Sequence, residues 1–174
     1  MKPLPSPGAP RVLRAEPLTG AAFAPYGDVL EPQAARRHYP INASSAERYH
    51  DLMRIDTDTA GGHAVLSLVR AEPVRLPVRL RLLERHPLGS QSWLPVDGRR
   101  FLVVVAPAGE HWTLADVRAF VTDGRQGVNY AKGVWHHPLL ALGDGAAEFI
   151  VVDRDGPGDN CEERALPQAV EIVP

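Results

Sequence analysis

The stretch GVNYAKGVWHHPL, residues 127–139, sets a phenol, an ammonium and two adjacent imidazoles within eight positions, Tyr130 to His137, at the mouth of an apolar strand. General acids, general bases, anion anchors and metal ligands are drawn from these residue types. Side chains alternate across a strand, so His136 and His137 leave on opposite faces and only one of them enters an interior. A second polar cluster stands upstream in ERHPLGSQSWLPVDG, residues 84–98. It closes a strand predicted over 78–86. There Val78, Leu80, Leu82, Glu84 and His86 share one face, and Arg79, Arg81 and Arg85 share the other, with Leu83 as the exception. The arginine face is expected outside. The apolar face then carries a carboxylate and an imidazole inward. Buried groups of that kind need a partner: each other, a polar ligand or a metal.

Around these clusters the chain reads as β-rich. Its 174 residues include 17 prolines and 15 glycines, and the apolar runs between them are short. Strands are predicted at 11–15, 64–70, 78–86, 101–106, 118–122, 133–142 and 148–153. Thr19 is placed to cap a short helix through Phe23, and Thr113 a turn over 114–117. Asp97-Gly98 and Asp123-Gly124 read as hairpin turns. Residues 47–51 read as a charged strand edge or turn, residues 155–159 as a loop without calcium-binding spacing, and Trp93, Trp112 and Trp135 as packing residues. A proline-rich leader, 1–10, precedes a single expected domain, 11–174.

The net charge of −2 argues against nucleic acid or an anionic membrane as a main partner. No apolar run approaches the ~20 residues that span a bilayer, and the first residues lack the apolar centre of a secretory signal. The single cysteine, Cys161, excludes an intramolecular disulfide and suits a reducing cytoplasm.

Gly133 followed at the third position by His136 has the spacing of the second signature of the cupin barrels. Glu84, His86, Gln91 and Gly98 resemble the first signature, with Glu84 in place of its first histidine and Gln91 in place of its carboxylate. The resemblance implies a mainly β fold: a cupin-like antiparallel β-barrel, or double-stranded β-helix, with a few short helices. It also implies one divalent metal held by Glu84, His86, Gln91 and His136. Mixed nitrogen and oxygen ligands suit a borderline ion such as Ni or Zn. The spacing from Gly133 selects His136 as the inward imidazole.

A denser likeness runs nearly end to end. FAPYGDV (23–29), ERYHDL (47–52), LERHPLG (83–89), FLVVVA (101–106), RAFVTDG (118–124), QGVNY (126–130), VWHHPL (134–139) and DNC (159–161) resemble the ureidoglycolate lyases of allantoin and purine catabolism. That family often reads His-Arg where this chain has Ala131-Lys132. A lysine supplies a point charge there in place of the bidentate fork of arginine. The resemblance implies a homodimer and cleavage of ureidoglycolate to glyoxylate and urea. The substrate bears a hydroxyl, a carboxylate and a ureido nitrogen on one carbon. Cleavage moves a proton from the hydroxyl to the departing nitrogen and consumes no water. His136 or Glu84 would take the proton, Tyr130 or His137 would donate to the urea nitrogen, and Lys132, with Arg48, would anchor the carboxylate. Asn42 is a further substrate-binding candidate. The rival classes are a ligand-sensing cupin, a metal-dependent oxygenase and a sugar epimerase. They call for an appended DNA-binding helix pair, a stronger His-rich triad and a His-Asp base pair respectively, and none of these is evident.

Overall fold

Frequent proline and glycine keep the strands short, so the fold is made by pairing across many turns. The computed structural model describes residues 9–174; residues 1–8 of the predicted leader lie outside them. The strands are β1 (Arg11–Arg14), β2 (Glu16–Pro17), β3 (Gly27–Leu30), β4 (Arg37–Ile41), β5 (Ala46–His50), β6 (His63–Ala71), β7 (Val78–Arg85) and β8 (Gln91–Pro95). They continue as β9 (Phe101–Ala106), β10 (Arg118–Val121), β11 (Gly127–Tyr130), β12 (Trp135–His136), β13 (Leu140–Ala141), β14 (Ala147–Asp155) and β15 (Glu162–Val173). One helical turn, α1 (Gly20–Phe23), begins at Thr19, whose hydroxyl accepts from the Ala22 amide. Thr113 and Asp116 cap the turn Leu114–Asp116 reciprocally.

Two sheets face each other. The first runs β1-β15-β7-β12-β9-β10-β2, with β13 also on β9, and the second runs β3-β11-β8-β14-β6. The hairpin β4–β5 forms a third, two-stranded sheet by itself. Phe101, Val103 and Val105 of β9 meet Val128, Tyr130 and Phe149 of the second sheet in one core, with Phe23 and Phe120. The other face of β9, Leu102, Val104 and Ala106, packs with Trp112, Trp135, Val170 and Ile172 in a second core behind the first sheet. This is the cupin-like β-barrel expected, with a back core added. Most ladders are antiparallel, but the N-terminal strands depart from that expectation: β1 pairs β15, and β2 pairs β10, in parallel.

The strand 78–86 is not one regular face. Leu80 and Leu83 lie in the same back core although three residues apart, so alternation is interrupted between them. The partner strand shows why: β15 jumps from Ala165 opposite Leu82 to Val170 opposite Leu80. The bulge resets the phase. Leu83 is therefore a core residue, fully buried, and Arg85 lies over the Trp135 ring at 4.6 Å instead of forming a solvated face with Arg79 and Arg81. Glu84 and His86 still point to the barrel interior. The predicted strand 133–142 is split into β12 and β13 at His137-Pro138, where proline removes a donor. Asp97-Gly98 and Asp123-Gly124 are turns, but not hairpins. Each carries the chain from one sheet to the other, and a Cβ on Gly124, at φ +93°, would come within 2.4 Å of the Gly98 carbonyl oxygen.

The two phases of β7 have different energetic consequences. Leu83→Ala leaves a cavity in a closed core and should cost about 3 kcal/mol in urea unfolding, whereas Leu82→Ala, at a half-buried position, should cost about 1 kcal/mol. Equal costs would contradict the interrupted alternation.

Candidate active site

Two rows of inward side chains close on each other at one end of the barrel. In the second sheet, Tyr130 of β11 is paired with Gln91 of β8. The β8–β14 register, Val152 opposite Ser92, brings Asp153 opposite Gln91 one step on. In the first sheet, His136 of β12 is paired with Glu84 of β7, and His86 follows two residues later. The rows meet where the His136 ring stacks on the Tyr130 ring, with centroids 4.1 Å apart and planes 13° from parallel. His86 sits 5.1 Å from His136, ring to ring.

Backbone contacts fix both imidazoles. His86 Nδ1 is 2.6 Å from the Asn160 carbonyl oxygen, and His136 Nδ1 is 3.0 Å from that of Val134. A carbonyl only accepts, so each Nδ1 carries a proton, and the neutral ring then presents its lone pair at Nε2. Both Nε2 atoms are buried without a hydrogen-bond partner. They face Glu84 Oε1, at 4.0 Å from His86 and 3.6 Å from His136. Ligand atoms of the three residues lie within 4.8 Å of one another. Three acceptors converge on one space with no donor among them, and each histidine donates its other N–H to a carbonyl. Ligands of a divalent cation are arranged in this way.

Accessibility falls from mouth to floor. The side chains of Glu84 and His86 are 17% and 15% exposed, and that of His136 is 2%. Burial drives the His136 pKa down to about 3, assisted by the neighbouring His86 and His137 and opposed by the Val134 carbonyl. His136 is thus neutral at physiological pH and ready to ligate. Burial raises the Glu84 carboxyl above the ordinary range, with His86 opposing. Burial, reinforced by the Glu84 charge, raises the Tyr130 phenol too, so it stays protonated.

The other candidates fall in different places. Gln91 is buried, its Oε1 accepts from Trp93 Nε1 at 2.8 Å, and the β8–β14 register sets it beside Asp153. One lone pair of its oxygen is thus engaged by the indole. His137, half-buried, donates from Nδ1 to the Pro138 carbonyl at 2.9 Å, and burial lowers its pKa. Lys132 Nζ reaches Asp56 at 3.0 Å and Thr59 Oγ1 at 2.9 Å. It ties residues 56–59 to the turn before β12. Asn42 stands in the β4–β5 turn at φ +52°, and Arg48 is exposed on β5, in the hairpin that ladders with neither barrel sheet.

Two residues not singled out from the sequence belong to the site. Asn160 holds His86 through its carbonyl and the amide of Leu88 through Oδ1 at 2.8 Å. Its only sequence signal is its place in DNC. Asp153 was legible by parity, since Phe149 and Val151 of the same strand face the core. Gly133 supports the mouth: its amide donates to the His86 carbonyl at 2.9 Å, at φ +78°, a conformation that favours glycine.

A two-sheet β-barrel with His and Glu side chains gathered at one mouth defines a cupin-like protein. Among solved structures it is similar to RmlC from Streptococcus suis (16% identity, TM-score 0.41, covering 55% of this chain and 45% of that one). It is also similar to oxalate decarboxylase from Bacillus subtilis (17% identity, TM-score 0.40, covering 59% of this chain and 24% of that one). The family described as Ureidoglycolate lyase matches residues 10–173. Proteins named ureidoglycolate lyase are 53% identical over 163 residues in Burkholderia mallei (strain NCTC 10229), covering 94% of each chain. In Pseudomonas aeruginosa (strain LESB58) the identity is 51% over 163 residues, covering 94% of this chain and 95% of that one. The chain belongs to the ureidoglycolate lyase family.

The donor set predicts one divalent ion per chain in calorimetric titrations with Ni or Zn. His86→Ala and His136→Ala should each weaken it at least about tenfold. Lys132→Ala should leave it unchanged and cost under about 1 kcal/mol of stability, as expected for a partly exposed ion pair. Undiminished metal affinity in both histidine variants would contradict the assignment of the triad.

Proposed function

We propose that this chain cleaves ureidoglycolate to glyoxylate and urea. Family membership supports the substrate, and the convergence of two unpartnered imidazole Nε2 atoms on the Glu84 carboxylate carries the reading of the site. Glu84, His86 and His136 would hold one divalent ion, Ni or Zn. When bound, such an ion polarises a coordinated hydroxyl or carboxylate oxygen and lowers the hydroxyl pKa.

The chain's own groups account for the proton movement. Glu84 presents Oε1 to both imidazoles, which leaves Oε2 to take the substrate hydroxyl proton. That oxygen is placed as the general base. As the C–N bond breaks, the electrons of the O–H bond form the new carbonyl, and the nitrogen leaving as urea needs a proton. The Tyr130 phenol, held protonated against His136, is the donor. One proton leaves oxygen and one reaches nitrogen, so no water is consumed. The aromatic floor of Phe23, Tyr26 and Phe120 excludes water below the site.

The outer face of the second sheet supports pairing of two copies. Leu66 and Leu68 of β6 are 67% and 60% exposed, and the register aligns them with Val152 and Ile150 and, beyond, Leu94. A strip of that length on an edge strand is the kind that proteins cover. No helix among the described residues is long and apolar enough to cross a membrane. A cytoplasmic homodimer is the proposed form.

Purified protein incubated with ureidoglycolate should release urea and glyoxylate in equal amounts. Glu84→Gln should lower kcat by roughly 10²- to 10⁴-fold, and Tyr130→Phe by about 10- to 100-fold with KM little changed. Release of neither product by metal-loaded protein would rule the proposal out. Wild-type rates in Glu84→Gln would remove Glu84 from the chemistry.

A further inference from the structure

The triad and Tyr130 do not account for the opposite wall of the site. That wall is Gln91 and Asp153. Trp93 Nε1 donates to Gln91 Oε1 at 2.8 Å. The amide orientation is thereby fixed, which leaves its NH2 group for a neighbouring acceptor, and the β8–β14 register sets the Asp153 carboxylate beside it. Indole, amide and carboxylate line one wall, across β8 and into β14. Asp153 faces inward, in the row with Tyr130 and Gln91, and His86 stands near it across the site.

The Asp153 carboxylate has acceptor capacity to spare. Two carboxylate oxygens offer about four lone-pair sites, more than one neighbouring amide can occupy. Among the described residues, Asp153 has no lysine or arginine within ion-pair distance. It also falls outside the group whose ligand atoms lie within 4.8 Å of one another, Glu84, His86 and His136. It is a half-buried acceptor on the inward face of β14, set apart from the cation site and facing the same space.

The geometry points to Asp153 as the residue that receives the ureido group. This rests on the proposed ureidoglycolate substrate and assigns the end of it that the triad does not touch. A ureido group carries an N–H on the substituted nitrogen and another on the terminal NH2, side by side. Two parallel donors match the two oxygens of one carboxylate, as a guanidinium fork does. A simple amide presents one donor and leaves the second oxygen without a partner. Asp153, positioned by Gln91 and Trp93, therefore selects urea derivatives over amides. It also orients the substrate so that the carbon bearing the hydroxyl lies towards Glu84.

The test uses two unreactive ligands that lack the hydroxyl: N-carbamoylglycine, which has the ureido group, and N-acetylglycine, which has the same carboxylate and a single N–H. Calorimetry on metal-loaded protein should show N-carbamoylglycine binding at least about tenfold more tightly to the wild type. In Asp153→Asn the preference should fall to about twofold or less, while N-acetylglycine affinity and metal affinity each stay within about twofold. Gln91→Met keeps the volume but removes the support, and it should lose part of the preference with Asp153 intact. It also serves if Asp153→Asn fails to fold. A full preference in both variants overturns the inference, and so does a tenfold loss of metal affinity in Asp153→Asn, which would make Asp153 a ligand. The outcome is independent of turnover. Wild-type protein that shows the Asp153-dependent preference without cleaving ureidoglycolate would sink only the lyase proposal. Cleavage with an undiminished preference in the variants would sink only this one.

Discussion

Two imidazole Nε2 atoms and one carboxylate are held against each other without hydrogen bonds to the imidazole nitrogens, and much of the barrel serves to keep them there. Left to themselves, these groups would turn away or take up protons. The Val134 and Asn160 carbonyls prevent the first by fixing each Nδ1–H. Burial prevents the second for His136, whose pKa falls to about 3. An unsatisfied buried acceptor costs about 1–3 kcal/mol. Two of them side by side mark a site built for something that is not protein.

The surrounding architecture follows from that demand. His136 must come from a strand paired between β7 and β9, because that register places it opposite Glu84. His86 must turn back over the mouth, and the loop ending in Asn160 clamps it there. The bulge in β15 lets β7 bury Leu80 and Leu83 on one side while still presenting Glu84 on the other. Beneath, an aromatic cluster keeps the floor dry, which lowers the local dielectric and strengthens every charge interaction above it. The two walls differ in composition, with Glu84, His86 and His136 on the first sheet and Tyr130, Gln91 and Asp153 on the second.

Much of this was legible in the sequence because it rests on period-two alternation and on short glycine spacings. The strand over 101–106 is fully buried on both faces and reads as one apolar run. Gly133 and His136 mark the turn and the inward ring. Other features were not legible, for identifiable reasons. The phase change in 78–86 is imposed by the partner strand, so nothing local to Leu83 announces it. Glu162–Val173 is interrupted by Pro167 and carries charges towards both ends, which hides a twelve-residue strand. Gln91 stands where a ligand is expected, yet a tryptophan two residues away engages its oxygen, a contact that spacing does not reveal. Lys132 stands in the polar cluster by sequence, but the turn directs its ammonium to Asp56. Asp97-Gly98 and Asp123-Gly124 have hairpin chemistry, but they serve as crossings between sheets, which turn propensity does not distinguish.

The protonation of the two ring nitrogens is the point on which the account stands. Long-range proton–nitrogen NMR of the metal-free protein at neutral pH, with histidine labelled in nitrogen-15, reports it directly. The account predicts that His136 is neutral and protonated on Nδ1, that His86 carries a proton on Nδ1, and that both Nε2 signals shift when a divalent ion is added. A protonated Nε2 on His136, or Nε2 signals that do not respond to the ion, would contradict it.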